Sequence, residues 1–82
     1  MTEYSRYHDI FDLRDSMAED MALDALAVEN ALHGNRDMWG RYEDISARQY
    51  ATLCRVVWEQ VTGTTYPDDW ARQDTERLAG ED

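Results

Sequence analysis

The chain contains no lysine, a single cysteine and a single proline among its 82 residues. Without lysine it has no side-chain amine that could form a Schiff base. With Cys54 as its one cysteine it can form no disulfide within one chain. The neighbouring Leu53 and Val57 favour a buried thiol that packs as a small hydrophobic group over a reactive nucleophile.

Long hydrophobic runs are also missing. No stretch approaches the roughly 20 apolar residues that a membrane-spanning helix needs. The first residues carry no apolar run of the kind that a secretory signal contains. We therefore expect a soluble, cytoplasmic protein that does not associate with a membrane.

What the chain has in excess is carboxylate. Eighteen acidic residues stand against eight arginines, which gives a net charge of −10. Residues 1–33 carry eight acids and two arginines, residues 34–66 carry four of each, and residues 67–82 carry six and two. Such a surface repels nucleic acid and attracts basic partners. We expect a partner protein with a basic surface and no direct nucleic-acid binding.

The first long pattern in the chain is helical. Apolar residues recur at steps of three and four from Ile10 to Leu32, which places them on one stripe of a helix, and Phe11 and Leu26 widen that stripe. Most of the surrounding residues are strong helix formers. Gly34 is a candidate left-handed stop. The pattern predicts a long first helix over about residues 7–33.

A second helix has a sharper start signal. Ser46 and Gln49 have the spacing of a capping box, in which each side chain binds the other's exposed amide, and Gly63 is a candidate stop. These features predict a helix over about residues 46–62. A β-hairpin over Val56–Tyr66 is the alternative, because this segment is rich in β-branched and aromatic residues.

The end of the chain completes the predicted fold. Pro67 can occupy the first position of a short C-terminal helix over about residues 67–79, and residues 34–45 form the loop before the second helix. The expected fold is a single all-α domain of residues 1–82. In it the long first helix lies antiparallel to the shorter second one, and the C-terminal helix packs beside them.

The two predicted apolar stripes differ in length. The first spans about 33 Å and the second about 16 Å, at 1.5 Å per residue. Half of the longer stripe would be left uncovered, which is unusual for a monomer. We therefore expect a homo-oligomer that associates through Met17, Met21 and Val28.

Carboxylates follow one another at helical spacing along the first predicted helix. A row of this kind can imitate the phosphates of a nucleic acid, or it can be the solvated side of an amphipathic helix. Both interpretations stay open. The candidate mimic residues are Asp9, Asp12, Asp15, Glu19, Asp20 and Asp24.

The loop between the first two predicted helices is rich in residue types that are enriched at protein interfaces. It provides the candidate partner-binding residues Arg36, Met38, Trp39, Arg41 and Tyr42. In the alternative, Trp39 and Tyr42 turn inward and complete a small core.

Catalytic and metal-binding patterns are weak. The two histidines, His8 and His33, stand at opposite ends of the first predicted helix, so we expect them not to meet. The pair His8 and Asp12 has helical ligand spacing, but two ligands do not make a metal site. The sequence contains neither a nucleophile elbow nor a glycine-rich phosphate loop. We expect no metal, no cofactor and no enzymatic activity.

These patterns together indicate a small, acidic, non-catalytic module that captures a partner protein and modulates or inhibits it. Phage and mobile-element accessory proteins are often of this type, so analogy suggests such an origin for the chain. One alternative is a nucleic-acid mimic of the anti-restriction or anti-CRISPR type, which would block a DNA- or RNA-binding protein. A structural homo-oligomer is the other alternative.

Overall fold

Helices make up most of the computed structural model, which describes the backbone of residues 7–39 and 42–81 and the side chains of residues 7–37 and 42–80. Helix α1 packs against α2, α2 against α4, and α4 against α5. The described ranges contain no strand, so the all-α prediction is confirmed and the hairpin alternative is wrong. The elements are α1 (Ile10–Met21), α2 (Ala25–Gly34), the short α3 (Arg36–Trp39), a 3-10 turn (Tyr42–Asp44), α4 (Ala47–Thr62) and α5 (Asp68–Glu81).

The prediction of one long first helix is wrong, because the chain breaks between α1 and α2. Ala22 adopts a left-handed conformation with φ 55° and ψ 43°, and its N–H donates to the carbonyl of Ala18. The N–H of Leu23 donates to the same carbonyl at 3.0 Å, as at other left-handed helix ends. Asp24 then caps α2, since its Oδ1 accepts the backbone N–H groups two and three residues ahead at 2.8 and 3.1 Å. The predicted helix is therefore a hairpin of two helices.

Helix α4 coincides with the second predicted helix. Gln49 donates its backbone N–H to Ser46 Oγ at 3.2 Å, and Ser46 donates its N–H to Gln49 Oε1 at 3.0 Å, which completes the capping box. Gly63, with φ 72°, ends the helix. Pro67 directly precedes α5 and accepts the N–H of Ala71 at 3.0 Å. These signals are local in the chain, which is why the sequence already displays them.

The end of α2 differs from the prediction. Gly34 remains within the helix, and Asn35, with φ −112°, follows it as the cap residue. The buried Asn35 side chain donates from Nδ2 to the carbonyl of Ala31 at 2.8 Å and to Gln60 Oε1 at 2.9 Å. A buried amide is costly unless its hydrogen bonds are made. Asn35 makes them to its own helix and to α4, so it joins the two elements.

One core lies between α1, α2 and α4. The apolar residues of the predicted long helix are divided between α1 and α2, and both groups pack into this core. Met17 and Val28 are fully buried, and Met21 is 7% exposed. Within the described residues, the chain itself therefore covers the three residues that were expected to lie uncovered. This burial counts against their role in self-association, which stays a prediction. The buried cluster consists of Leu13, Met17, Met21, Val28, Ala31, Leu32, Tyr42, Ile45, Ala47, Tyr50, Leu53, Cys54 and Val57.

Helix α5 joins this core through aromatic contacts. Trp70 packs edge-on against Trp58 of α4, with ring centroids 4.9 Å apart. It also packs edge-on against Tyr66, at 5.7 Å. Such pairs contribute about 0.5–1.5 kcal/mol beyond the area that they bury. They fix the position of Trp70 at the junction of α4 and α5.

Candidate interaction surfaces

The acidic residues of the predicted mimic row have different roles in the structure. Asp9 caps α1, since its Oδ1 accepts the N–H of Asp12 at 2.9 Å. Asp24 caps α2. Each such cap contributes about 1 kcal/mol to stability. These two carboxylates are therefore needed by the fold, whatever else they do.

Three acids remain in a row on the outer side of α1. Asp12, Asp15 and Glu19 are exposed and follow each other at steps of three and four, which puts neighbouring Cβ atoms about 5–6 Å apart. Asp15 forms an ion pair with Arg14 at 2.8 Å. Asp12 and Glu19 form no ion pair with any residue that the structure describes. Asp12 and Glu19, two turns apart on α1, thus present uncompensated negative charge on either side of the paired Asp15.

An exposed aromatic ring stands beside this row. Phe11 is 52% exposed, and the Arg14 guanidinium lies over its ring at 5.1 Å from the centroid. Arg14 Nη1 donates to Glu29 Oε2 of α2 at 3.1 Å, so the ion pair crosses the helical hairpin. Hydrogen bonds to Asp15 and to Glu29 raise the pKa of Arg14 above its usual value. The network positions the Arg14 guanidinium over the exposed Phe11 ring.

Leu26 is the matching exposed group on α2. It is 63% exposed, and with Phe11 it forms the set of exposed large hydrophobic residues in the described part of the chain. It stands three residues before Glu29 and so lies on the same side of α2. We call the surface formed by Phe11, Arg14, Asp15, Leu26 and Glu29 the α1–α2 face.

The residues of the predicted partner-binding loop differ in burial. Tyr42 is buried and its hydroxyl donates to a backbone carbonyl of α2 at 2.7 Å, so its assignment as a contact residue is wrong and the inward alternative holds for it. Burial raises the pKa of Tyr42, against a smaller opposite effect of Arg36. Arg36 is exposed. Arg41 and the side chains of Met38 and Trp39 lie outside the described residues.

The two histidines lie on the same side of the helical hairpin, and not at opposite ends of one helix as predicted. Because the chain reverses between α1 and α2, His8 and His33 line the same open cleft of about 340 Å³. Arg36, Asp9 and Glu43 contribute to its lining. Asp24 could have indicated this arrangement from the sequence. It is a strong capping residue inside the predicted helix, and it marks the start of α2.

A second cleft, of about 360 Å³, lies where α1, α4 and α5 meet, and we call it the α1–α5 cleft. Its lining includes Asp20, Tyr66, Trp70, Asp74 and Arg77. The Tyr66 hydroxyl donates to Asp74 Oδ2 at 3.0 Å. Arg77 Nη2 donates to Asp74 Oδ1 at 2.6 Å. The sequence predicts Asp20 only as a member of the mimic row and predicts no site at the other four residues, because α1, α5 and the segment before α5 come together only in the fold.

The Cys54 thiol also lines this cleft. It is a free cysteine, and it is buried as predicted. Burial is the largest cause that raises its pKa to about 12, and the carboxylates of Asp74 and Asp20 add to the shift. A thiol in this state is not a nucleophile near neutral pH.

The described residues show neither a metal-binding group nor a spanning helix. No three of their His, Cys, Asp and Glu side chains are arranged to hold a metal ion. None of the helices in these ranges combines the length and the apolar character that crossing a membrane requires. Comparison of the whole chain with protein-family models, curated proteins and solved structures finds no match.

Proposed function

We propose that this chain is a non-catalytic module that binds a partner protein with a basic surface and modulates or blocks that partner. The observation that carries the proposal is the α1–α2 face, where the exposed Phe11 stands beside a fixed ion-pair network. The uncompensated Asp12 and Glu19 lie on the same helix.

The two parts of this surface have different tasks in binding. An exposed aromatic side chain that is already held in place loses little conformational freedom on binding, and such groups are typical interface anchors. Carboxylates around the anchor attract a basic partner and orient it during encounter. The net charge of −10 acts in the same direction over longer distances.

Nucleic-acid mimicry is the second candidate, and the exposed row of Asp12, Asp15 and Glu19 favours it. A mimic binds through charge alone, so its affinity should fall steeply with salt. An anchored interface depends on Phe11 and should depend less on salt. The partner's identity also differs, since a mimic selects proteins that bind DNA or RNA.

The test is affinity capture from a lysate of the organism that encodes the chain, at 50 mM and 500 mM NaCl. The immobilised baits are the wild type, Phe11→Ser, and the triple variant Asp12→Asn, Asp15→Asn, Glu19→Gln. A matched charge control carries Asp68→Asn, Asp69→Asn and Glu76→Gln on α5. Circular dichroism checks that each bait is folded.

The proposal expects a basic protein that the wild type and the α5 control retain and that Phe11→Ser loses at least tenfold. Mimicry expects instead a nucleic-acid-binding protein that Phe11→Ser retains, and that the triple variant and high salt release. Equal retention by all four baits would contradict both candidates.

A further inference from the structure

We propose that the α1–α5 cleft receives the cationic side chain, arginine or lysine, of the basic partner. This inference rests on the proposed function and adds a second contact site, at the end of α1 that carries Asp20. Its volume of about 360 Å³ falls in the range of roughly 300–1,000 Å³ that ligand pockets occupy.

Two rings form a corner of the cleft. Tyr66 and Trp70 stand at 70° to each other with centroids 5.7 Å apart. Trp58 supports Trp70 through an edge contact at 72°. Aromatic faces attract cations, Trp most strongly. Trp70 is the more exposed of the two rings, since Tyr66 is only 8% exposed. Trp70 is therefore the ring that a long side chain with a charged end would contact.

The charges of the cleft favour the same class of ligand. Two carboxylates, Asp20 from α1 and Asp74 from α5, face one guanidinium, that of Arg77. Asp74 is engaged by Arg77 and by the hydroxyl of Tyr66. Asp20 is exposed and forms no ion pair with a residue of the described ranges. The cleft therefore has one carboxylate in excess, available to a guanidinium or ammonium group.

The pKa of Cys54 agrees with the placement of both carboxylates at the cleft. Its pKa is raised first by burial, and then by the negative charges of Asp74 and Asp20, although these come from different helices. Arg77 acts in the opposite direction. A cation placed among these groups would therefore experience the field of both carboxylates.

The test is an NMR titration of the 15N-labelled protein that follows the indole N–H of Trp70 and the backbone amides near Asp20. The probe is the peptide acetyl-Gly-Arg-Gly-amide. Its control is the same peptide with citrulline, which keeps the shape of arginine and lacks its charge. Spermidine serves as a free cation, and Asp20→Asn is compared with Asp12→Asn, which removes the same charge outside the cleft.

We expect the arginine peptide to shift these signals in a saturable way and the citrulline peptide to leave them unchanged. Asp20→Asn should weaken binding about fivefold, the scale of an exposed ion pair, and Asp12→Asn by less than twofold. Equal shifts with citrulline, or equal effects of the two variants, would overturn the inference. Tighter binding of spermidine at the same signals would assign the cleft to small cations instead.

Capture with an Asp20→Asn bait separates this inference from the proposed function. If that bait retains the Phe11-dependent partner as well as the wild type does, the cleft is not a contact site, while the proposed function stands. If the wild type retains no Phe11-dependent partner, the proposed function fails, and the assignment of the cleft to a partner side chain fails with it.

Discussion

Burial determines the chemistry of several single residues in this chain. The pKa of Cys54 is raised from 9.0 to about 12, with burial as the main cause. Burial likewise raises the pKa of Tyr50 and that of Tyr66 above their usual values. The unfolded chain ionises these groups at lower pH than the folded chain does. It therefore holds fewer protons above about pH 9, and stability falls as pH rises.

We predict that the free energy of unfolding is level from pH 7 to 8 and then falls with pH. Cys54 alone should account for about 1 kcal/mol of the loss between pH 9 and 10, and Tyr50 and Tyr66 should add to the loss at higher pH. Urea unfolding followed by circular dichroism at each pH measures the effect. The control Cys54→Ala should be less stable at pH 7, and its loss of stability between pH 9 and 10 should be smaller than that of the wild type by about 1 kcal/mol, while the loss that the buried tyrosines cause remains. A flat profile to pH 10 in the wild type would contradict the burial of this thiol.

The residues that sequence analysis identified correctly depend on near neighbours. Ser46 and Gln49 are three positions apart, and both halves of their box are present. Asn35 was missed as a structural residue, and the inward position of Tyr42 was only the alternative to a contact role. Asn35 binds Gln60, 25 positions away, and Tyr42 binds a carbonyl 10 positions away. Nothing in the local sequence displays such partners, because the fold creates them.

At the scale of elements, tertiary burial outweighs helix propensity between α1 and α2. A left-handed alanine costs about 1–2 kcal/mol, and the Asp24 cap returns about 1 kcal/mol of that. The break also lets the apolar sides of both helices enter one core, and each fully buried side chain such as Val28 or Leu32 contributes about 1.5–3 kcal/mol. The sum favours the hairpin. The residues around Ala22 are good helix formers, so propensity alone predicts a continuous helix.

We predict that Ala22→Gly raises the free energy of unfolding by about 0.5–1 kcal/mol. Glycine adopts the left-handed conformation without strain, and this gain exceeds the added entropy of the unfolded chain. In a continuous helix the same substitution would cost about 1 kcal/mol. Urea unfolding therefore distinguishes the hairpin, in which Ala22→Gly raises the free energy of unfolding, from a continuous helix, in which it lowers it.

Two variants complete this comparison. Ala18→Gly lies within α1 and should destabilise the protein by about 1 kcal/mol. Asp24→Ala should destabilise it by a similar amount through loss of the cap. If Ala22→Gly destabilised the protein and Asp24→Ala left its stability unchanged, the result would support the continuous helix and contradict the hairpin.

At the scale of the whole molecule, the hairpin changes which apolar residues face solvent. The sequence correctly predicts that residues from Ile10 to Leu32 supply a large part of the core. It placed Phe11 and Leu26 at the edge of one long stripe, and the structure leaves both exposed. The apolar stripe is not one straight line, because it is divided between α1 and α2. Once the helix turns back, one chain covers its own apolar residues, and the large hydrophobic side chains that stay exposed in the described ranges are Phe11 and Leu26 of the α1–α2 face.

This self-coverage predicts the behaviour of Met21→Asp. Met21 is 7% exposed and belongs to the core, and a carboxylate there would be buried without a partner. We expect a loss of more than about 3 kcal/mol, a large part of the stability of a domain of this size. The wild type should sediment as a 9.6 kDa monomer, and the variant should lose its cooperative unfolding transition in circular dichroism.

Met21→Leu keeps the volume and should change stability by less than about 1.5 kcal/mol. Phe11→Ser should remain folded, because Phe11 lies outside the core. If the wild type instead sedimented as a dimer and Met21→Asp gave a folded monomer, Met21 would contact a second copy. In that case a second copy of the chain, and not α2, would cover the apolar side of α1.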